Sequence, residues 1–193
     1  MQKIILIVHN VRSAHNAGSI LRSADGFGVE HVYFTGYTPY PQAPDDSRLP
    51  HIARRASNRI SKTSLGAEKN ISWSHAKNIL DLISRLKSEG WLVAALEQTG
   101  KATDLPYFPA YKPVALIVGS ETEGIDNIVL ESADKHLQIP MLGGKESFNV
   151  SVAAAVALYH LRWYNQTPDG RKNKNGFAKI QPSPAPQTKR GKR

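Results

Sequence analysis

The sequence predicts an α/β fold, a mostly parallel sheet flanked by helices, and three observations carry that expectation. The runs IILIV within KIILIV (3–8) and VALIV within PVALIVG (113–119) hold no polar side chain, the pattern of strands buried on both faces. Segments with apolar residues at helical spacing alternate with such runs along the chain. The loops richest in polar and small residues each follow a strand, where ligands sit in parallel sheets.

The elements follow in order. After KIILIV, residues Ile20, Leu21, Ala24 and Phe27 recur at helical spacing from Asn16, and Gly28 ends the segment. VEHVYFTG (29–36) reads as a second strand, and residues 37–50, with Pro39, Pro41, Pro44 and Pro50, as a loop. A short helical or irregular basic stretch covers 51–66. SHAKNILDLISRLKSEG (74–90) predicts an amphipathic helix, with Ser74 as N-cap, a stripe of Ile79, Leu82, Ile83 and Leu86, and Gly90 as the stop. Strands are expected at WLVAALEQ (91–98), PVALIVG and KHLQIPM (135–141), with a helix over 126–133. SFNVSVAAAVALYHLRWY (147–164) predicts a last helix, apolar on most sides and buried against the sheet or another subunit. Beyond Asn165 the composition turns to Gly, Pro, Lys, Arg, Asn and Gln without apolar period. The expected organisation is a folded domain over 1–165 and a basic tail over 166–193, disordered when free.

A chain of 193 residues, 40% of them hydrophobic, suits one domain with an ordinary core. The absence of cysteine excludes disulfides and thiolate metal sites. The start MQKIILIVHN turns polar too quickly for a signal peptide, and no apolar run approaches the ~20 residues that span a bilayer, so a cytoplasmic protein is expected. The seven histidines form no HExxH, and no metal is expected. The formal charge of +9 is unevenly placed. Residues 171–193 hold eight Lys or Arg and no acid, which leaves a body with 17 basic and 16 acidic groups. A basic tail suits either a polyanionic partner or a solubilising role. A second acid-free stretch, Arg48, Arg54, Arg55, Arg59 and Lys62 between Asp46 and Glu68, moves the weight toward nucleic acid.

Three loops stand out. NVRSAHNAGSILRSADGFG (10–28) carries Asn10 and Asn16, which suit loop amides or a cap, and Arg22, which local sequence leaves as either a solvated or a functional side chain. VGSETEGI (118–125) has the outer glycines of a phosphate loop, but Ile125 and Asp126 stand where Lys and Ser/Thr belong, and Glu121 and Glu123 would repel phosphate. IPMLGGKESFNVSVAAA (139–155) joins a Gly143-Gly144 turn to a helix that Ser147 or Asn149 can cap. No GxGxxG follows the first strand, and GSETEG lacks a GxSxG nucleophile elbow.

Taken in order, these loops resemble the SpoU (TrmH-like) branch of the SPOUT RNA methyltransferases, over roughly residues 3–164. The residues that carry the resemblance are Asn16, Gly18 and Arg22 in NAGSILRSADGFGV, then Gly119, Glu121 and Gly124 in LIVGSETEGI. Ile139, Pro140, Ser147 and Asn149 follow in IPMLGGKESFNVSVAAA. Each motif is unspecific alone; three in this order are specific. Phe148 stands where relatives usually have Leu, which still supplies an apolar wall.

The resemblance implies S-adenosylmethionine as methyl donor, a homodimer, and a C-terminal deep trefoil knot, an exception to the usual connection rules. By family position Leu96, Gly119, Ile139, Ser147 and Phe148 line the cofactor, while Asn149 supports its methionine end or the loop. The implied reaction is methyl transfer to a ribose 2′-hydroxyl of tRNA or rRNA. Arg22 is the expected catalytic group, steadying charge on the attacking oxygen rather than acting as a base, since its pKa lies above ~12. Asn16 is expected to orient Arg22 or the ribose, and Glu121 to hold a loop or the partner subunit. Because the chain starts almost at the first strand, RNA contacts are expected from Arg12, Arg54, Arg55, Arg59 and the tail. The alternatives left are a non-catalytic RNA-binding protein of the same fold and a flavodoxin-like nucleotide-binding domain.

Overall fold

The computed structural model describes residues 2–109 and 111–163; the tail over 166–193 lies outside the described residues. The chain forms β1 (Ile4–His9), α1 (Ala14–Gly26), β2 (His31–Thr35), α2 (Pro50–Ser64), α3 (Ala67–Asn70), β3 (Trp73–Ala76) and α4 (Ile79–Ser88). It continues through β4 (Leu92–Leu96), the two-residue β5 (Thr103–Asp104), β6 (Val114–Val118), α5 (Asn127–Ser132), β7 (Lys135–Gln138) and α6 (Val150–Trp163). The seven strands form one sheet in the order β3-β2-β1-β6-β4-β7-β5, and every pair in it is parallel. All carboxyl ends therefore lie along one edge.

The apolar runs work on both faces because side chains alternate along a strand. Ile4, Leu6 and Val8 of β1, with Val114, Leu116 and Val118 of β6, point to the face covered by α1 and α6. Ile5 and Ile7, with Ala115 and Ile117, point to the opposite face, against the Ile79, Leu82, Ile83 and Leu86 stripe of α4 and Val129 and Leu130 of α5. Each fully buried Leu or Ile contributes about 1.5–3 kcal/mol. Arg162, near the end of α6, is buried and donates to the carbonyls of Phe27, Gln2 and Gly28. It ties the last helix to the turn after α1.

The structure departs from the expected elements where tertiary hydrogen bonds outweigh local signals. Residues 73–76 are not the first turn of a helix. They form an edge strand paired with Val32–Thr35, anchored where Val32 N–H donates to the Ser72 carbonyl. Ser74 accordingly caps nothing: its hydroxyl pairs with His31 at 2.8 Å, and Asn78 caps α4 by accepting from Leu80 and Asp81 N–H. β7 stops at Gln138, two residues before Pro140, which cannot donate to a ladder. The last helix starts at Val150, so 139–149 remain a loop beyond the sheet edge. The basic stretch is a continuous helix, α2, and Ser13 rather than Asn10 or Asn16 caps α1.

Helices α1 and α2 cross at Gly18. A Cβ there would collide with Thr63 Oγ1 and with the Ile60 carbonyl oxygen, which belongs to the backbone and cannot swing aside. Replacing glycine by alanine inside a helix ordinarily stabilises it by about 1 kcal/mol. At Gly18 the sign inverts: Gly18→Ala lowers stability by about 1–3 kcal/mol, read as a lower urea midpoint, because the helices must separate.

Candidate active site

Three loops leave the carboxyl ends of the central strands β4, β6 and β7 and meet around a cavity of about 320 Å³, and the loop after β1 is tied to them from outside its wall through Glu121. Leu96, Glu97, Val118, Gly119, Glu121, Gly124, Ile139, Met141, Ser147, Phe148 and Val150 are among its walls. Five of the expected cofactor residues, Leu96, Gly119, Ile139, Ser147 and Phe148, thus line one space, and Asn149 adjoins it. Phe148 is 45% exposed, so the wall it forms is open to solvent on one side.

The loop after β6 folds back on itself. Ser120 and Gly124 exchange two backbone hydrogen bonds at 3.1 Å, a one-bridge hairpin with residues 121–123 at its tip. Gly124 has φ +68° and packs against the Glu97 carboxylate, where a Cβ would fall 2.5 Å from Oε2, so both conformation and space demand glycine. Glu97 accepts the N–H of Ile125 at 2.9 Å and of Gln98 at 3.0 Å, joining the ends of β4 and β6. Sequence reasoning did not select Glu97; its signal was an acidic residue directly after an apolar strand.

Glu121 is the hub of the site. Its carboxylate accepts the backbone N–H of Arg12 (3.0 Å) and Ser13 (3.4 Å) and the Asn16 side-chain amide (2.6 Å). The Asn16 Oδ1 in turn accepts the Asn149 amide at 3.2 Å, and Asn149 Oδ1 accepts Ser151 N–H and hydroxyl at the start of α6. The first loop is therefore joined to two others more than 100 residues away in sequence through two side-chain amides and one carboxylate. Partial burial pushes the Glu121 carboxyl up, but the three donors outweigh it and hold the group below the usual carboxylate range.

The other expected residues fall elsewhere. Arg22 is exposed on α1, is not part of the cavity wall, and has no hydrogen-bond or ion-pair partner among the described residues. Asn16 does not orient it: the two lie about 120° apart around the helix, and Asn16 spends its amide on Glu121 and Asn149. Arg12 pairs with Glu123 at 3.0 Å in the open, an interaction worth little. Arg54, Arg55 and Arg59 are exposed on α2, outside the cavity. Arg48 is withdrawn from that basic group, because its guanidinium binds Asp46 and the carbonyls of Tyr40 and Pro41 and stacks 3.5 Å from the Tyr40 ring centroid. Asn10 (φ +54°) accepts the Tyr37 N–H, and His9 lies between Thr35 and Asp126 at the same sheet edge.

Among the described residues the cavity wall contains no Lys, Arg or His but includes Glu97, Glu121 and Glu123. That charge suits a cationic ligand and opposes the phosphates of a flavin or nucleotide. Among the described residues no cluster of His, Asp and Glu is arranged to hold a metal ion, and no helix is long and apolar enough to cross a membrane.

The hub generates a prediction with a pH signature. A carboxyl held low in the fold stabilises it above the unfolded Glu pKa of about 4.3 and loses that contribution as pH falls through the folded value. Glu121→Gln therefore lowers stability by about 1 kcal/mol at pH 7, allowing for partial exposure. The difference narrows below about pH 4, measured by urea unfolding at both pH values.

Comparison with known proteins bears on the same residues. The SpoU rRNA Methylase family model matches residues 3–159. A Staphylococcus haemolyticus protein of the TrmH family, named as a tRNA/rRNA methyltransferase, is 32% identical over 161 residues, covering 81% of this chain and 57% of that protein. The chain thus spans little more than half the length of that relative. The fold is similar to the AdoMet-bound rRNA methyltransferase of Sinorhizobium meliloti, with a TM-score of 0.72 and 23% identity over 84% of this chain and 56% of that one. It is similar also to an RNA 2′-O-ribose methyltransferase, with a TM-score of 0.67 and 28% identity over 83% of this chain and 55% of that one. With its three loops joined through Glu121, Asn16 and Asn149 and a family match covering nearly all of the described residues, the chain belongs to the SpoU rRNA methylase family.

Proposed function

We propose that this protein transfers a methyl group from S-adenosylmethionine to a ribose 2′-hydroxyl of tRNA or rRNA. The observation that carries the reading is the cavity at the strand ends, walled by apolar Leu96, Ile139 and Phe148, edged by carboxylates and free of cations. Those residues fit a molecule with an adenine ring and a net positive charge. When bound, S-adenosylmethionine supplies an activated methyl carried on a sulfonium. Leu96, Ile139 and Phe148 hold the flat ring, Gly119 admits it close to the backbone, Ser147 offers a hydroxyl, and Asn149 keeps the loop in place through Asn16.

Arg22 is the proposed catalytic residue. Its exposed guanidinium, without an internal partner, is available to grip an RNA phosphate or the oxygen that gains charge as the methyl arrives. Asn16 acts as a positioning residue, fixing the loop from which α1 starts. The reading includes a methyltransferase domain over 1–165, a tail over 166–193 that adds RNA affinity, and a cytoplasmic homodimer. An apolar stripe on α6, Val152, Val156, Tyr159 and Trp163, is exposed and supports the pairing of two copies. A trefoil knot at the carboxyl end accords with the path of the chain, which leaves β7, passes the loop after β6 and meets Asn16 beside β1.

Two experiments test this. Arg22→Lys loses about 100-fold or more in methyl incorporation into RNA while S-adenosylmethionine affinity, measured by calorimetry, is kept. Equal loss of both would place Arg22 in the cofactor site instead, and absence of any S-adenosylmethionine binding by the unaltered protein would leave a non-catalytic RNA-binding protein. Removal of residues 166–193 weakens RNA binding and flattens its salt dependence without lowering the unfolding midpoint; an unchanged slope would mark the tail as solubilising.

A further inference from the structure

Helix α2 reads PHIARRASNRISKTS and contains no acidic residue. Its buried side is Ala53, Ile60 and Ser64, which face the rest of the fold. With 3.6 residues per turn, His51, Arg55, Arg59 and Lys62 fall within about 40° of one common line on the opposite side. They make one ridge about 16 Å long, with neighbours about 5–6 Å apart along the axis. All four are exposed, and none of their side chains has a hydrogen-bond or ion-pair partner among the described residues. Arg54 is about 100° round from this line.

Several other cations of the body are already engaged. Arg48 is bound to Asp46, Lys87 to Asp134 at 2.8 Å, Arg85 to the Tyr33 hydroxyl at 3.2 Å, and Arg162 to three carbonyls. Glu68, the next acid after the ridge, is turned away onto the Ser64 hydroxyl. The ridge also has a direction. At its carboxyl end Thr63 Oγ1 donates to the His15 carbonyl at 2.8 Å, one residue before Asn16, and α1 and α2 are in contact at Gly18. Arg22 sits one turn beyond Gly18, about 40° round the same helix. The line of charge therefore runs up to the loop that Glu121 of the cavity wall fastens, and the acidic residues of that wall turn polyanions away.

We infer that His51, Arg55, Arg59 and Lys62 form a rail for the sugar-phosphate backbone of the substrate RNA, leading it past Arg22 to the cavity mouth; this rests on the reading of the substrate as RNA. The rail reads spacing and charge, not bases, because it offers three single cations and an imidazole in a row on a fixed helix. Affinity and catalysis are separated. The polyanion is held on α2, and the cavity is left to a cationic ligand.

The test uses the full chain and two probes, fluorescently labelled unfractionated bacterial transfer RNA and S-adenosylmethionine. The variant Arg55→Ala/Arg59→Ala/Lys62→Ala is compared with Lys77→Ala/Lys101→Ala/Lys135→Ala, which removes the same charge elsewhere. Binding is followed by anisotropy between 50 and 400 mM KCl. The rail variant lowers the slope of log K against log salt by about 2, close to 0.7–0.9 per lost phosphate contact, and weakens binding at least about tenfold. The control triple changes the slope by less than about half a unit, and Arg55→Lys/Arg59→Lys keeps the original slope. Equal effects of the two triples, or no effect of either, overturn the rail. Unchanged S-adenosylmethionine affinity excludes misfolding as the cause. If the slope moves as expected but the unaltered protein neither binds S-adenosylmethionine nor methylates RNA, the rail stands and the methyltransferase reading falls. If methyl transfer is normal and the slope does not move, the rail falls alone.

Discussion

The arrangement depends on one carboxylate. Glu121 takes hydrogen bonds from two backbone amides and one side-chain amide of the first loop, and through Asn16 it reaches Asn149 in the third. A strand gives a loop its starting point but not its shape. The donors of residues 12, 13 and 16 would each lose a partner without Glu121, and unpaired amides in a partly buried site are costly. The pair of glutamates at 121 and 123 divides the work: Glu121 is turned inward as a fastener, whereas Glu123 meets only the exposed Arg12.

Charge is sorted in space as well as in sequence. The cavity is edged with acid, the outer face of α2 is purely basic, and the two meet at the first turn of α1. An enzyme that brings a cation and a polyanion together needs such separation, since each ligand is drawn to its own place and repelled from the other's. Arg48 illustrates the difference between charge in a sequence and charge at a surface. It lies among the basic residues in the chain but is consumed in holding the proline-rich loop over 37–50.

Much of this was legible in the residues. The buried strands stood out because both faces are apolar, and the three loops stood out because polar and small residues follow those strands directly. The edge strand at 73–76 was hidden because WSHA has neither an apolar run nor clear alternation; it is a strand only because Val32–Thr35 offers it partners. Ser74 looked like a cap for the same reason that it suits an edge: its hydroxyl takes whichever partner is near, here His31. Glu97 was passed over, since nothing local says that its carboxylate will meet a left-handed glycine 27 residues later. The position of Arg22 outside the cavity wall was likewise a matter of helix rotation relative to the sheet, which spacing alone leaves open.

The bonds that close the site join residues 105, 108, 109 and 133 positions apart, and Asn149 stands at the entrance to the final helix. Local pairing of β1 with β2 forms early in the chain, but β6 inserts beside β1 only after four other strands have been made. Such long closures are slow and come late in folding. A nascent chain emerging from the ribosome has the basic face of α2 complete while Glu121 and Asn149 are still to be synthesised. The growing polypeptide thus completes the exposed face of α2 before the carboxylate and amide that fasten the loops at the strand ends, and the site closes only when nearly all of the domain has been translated.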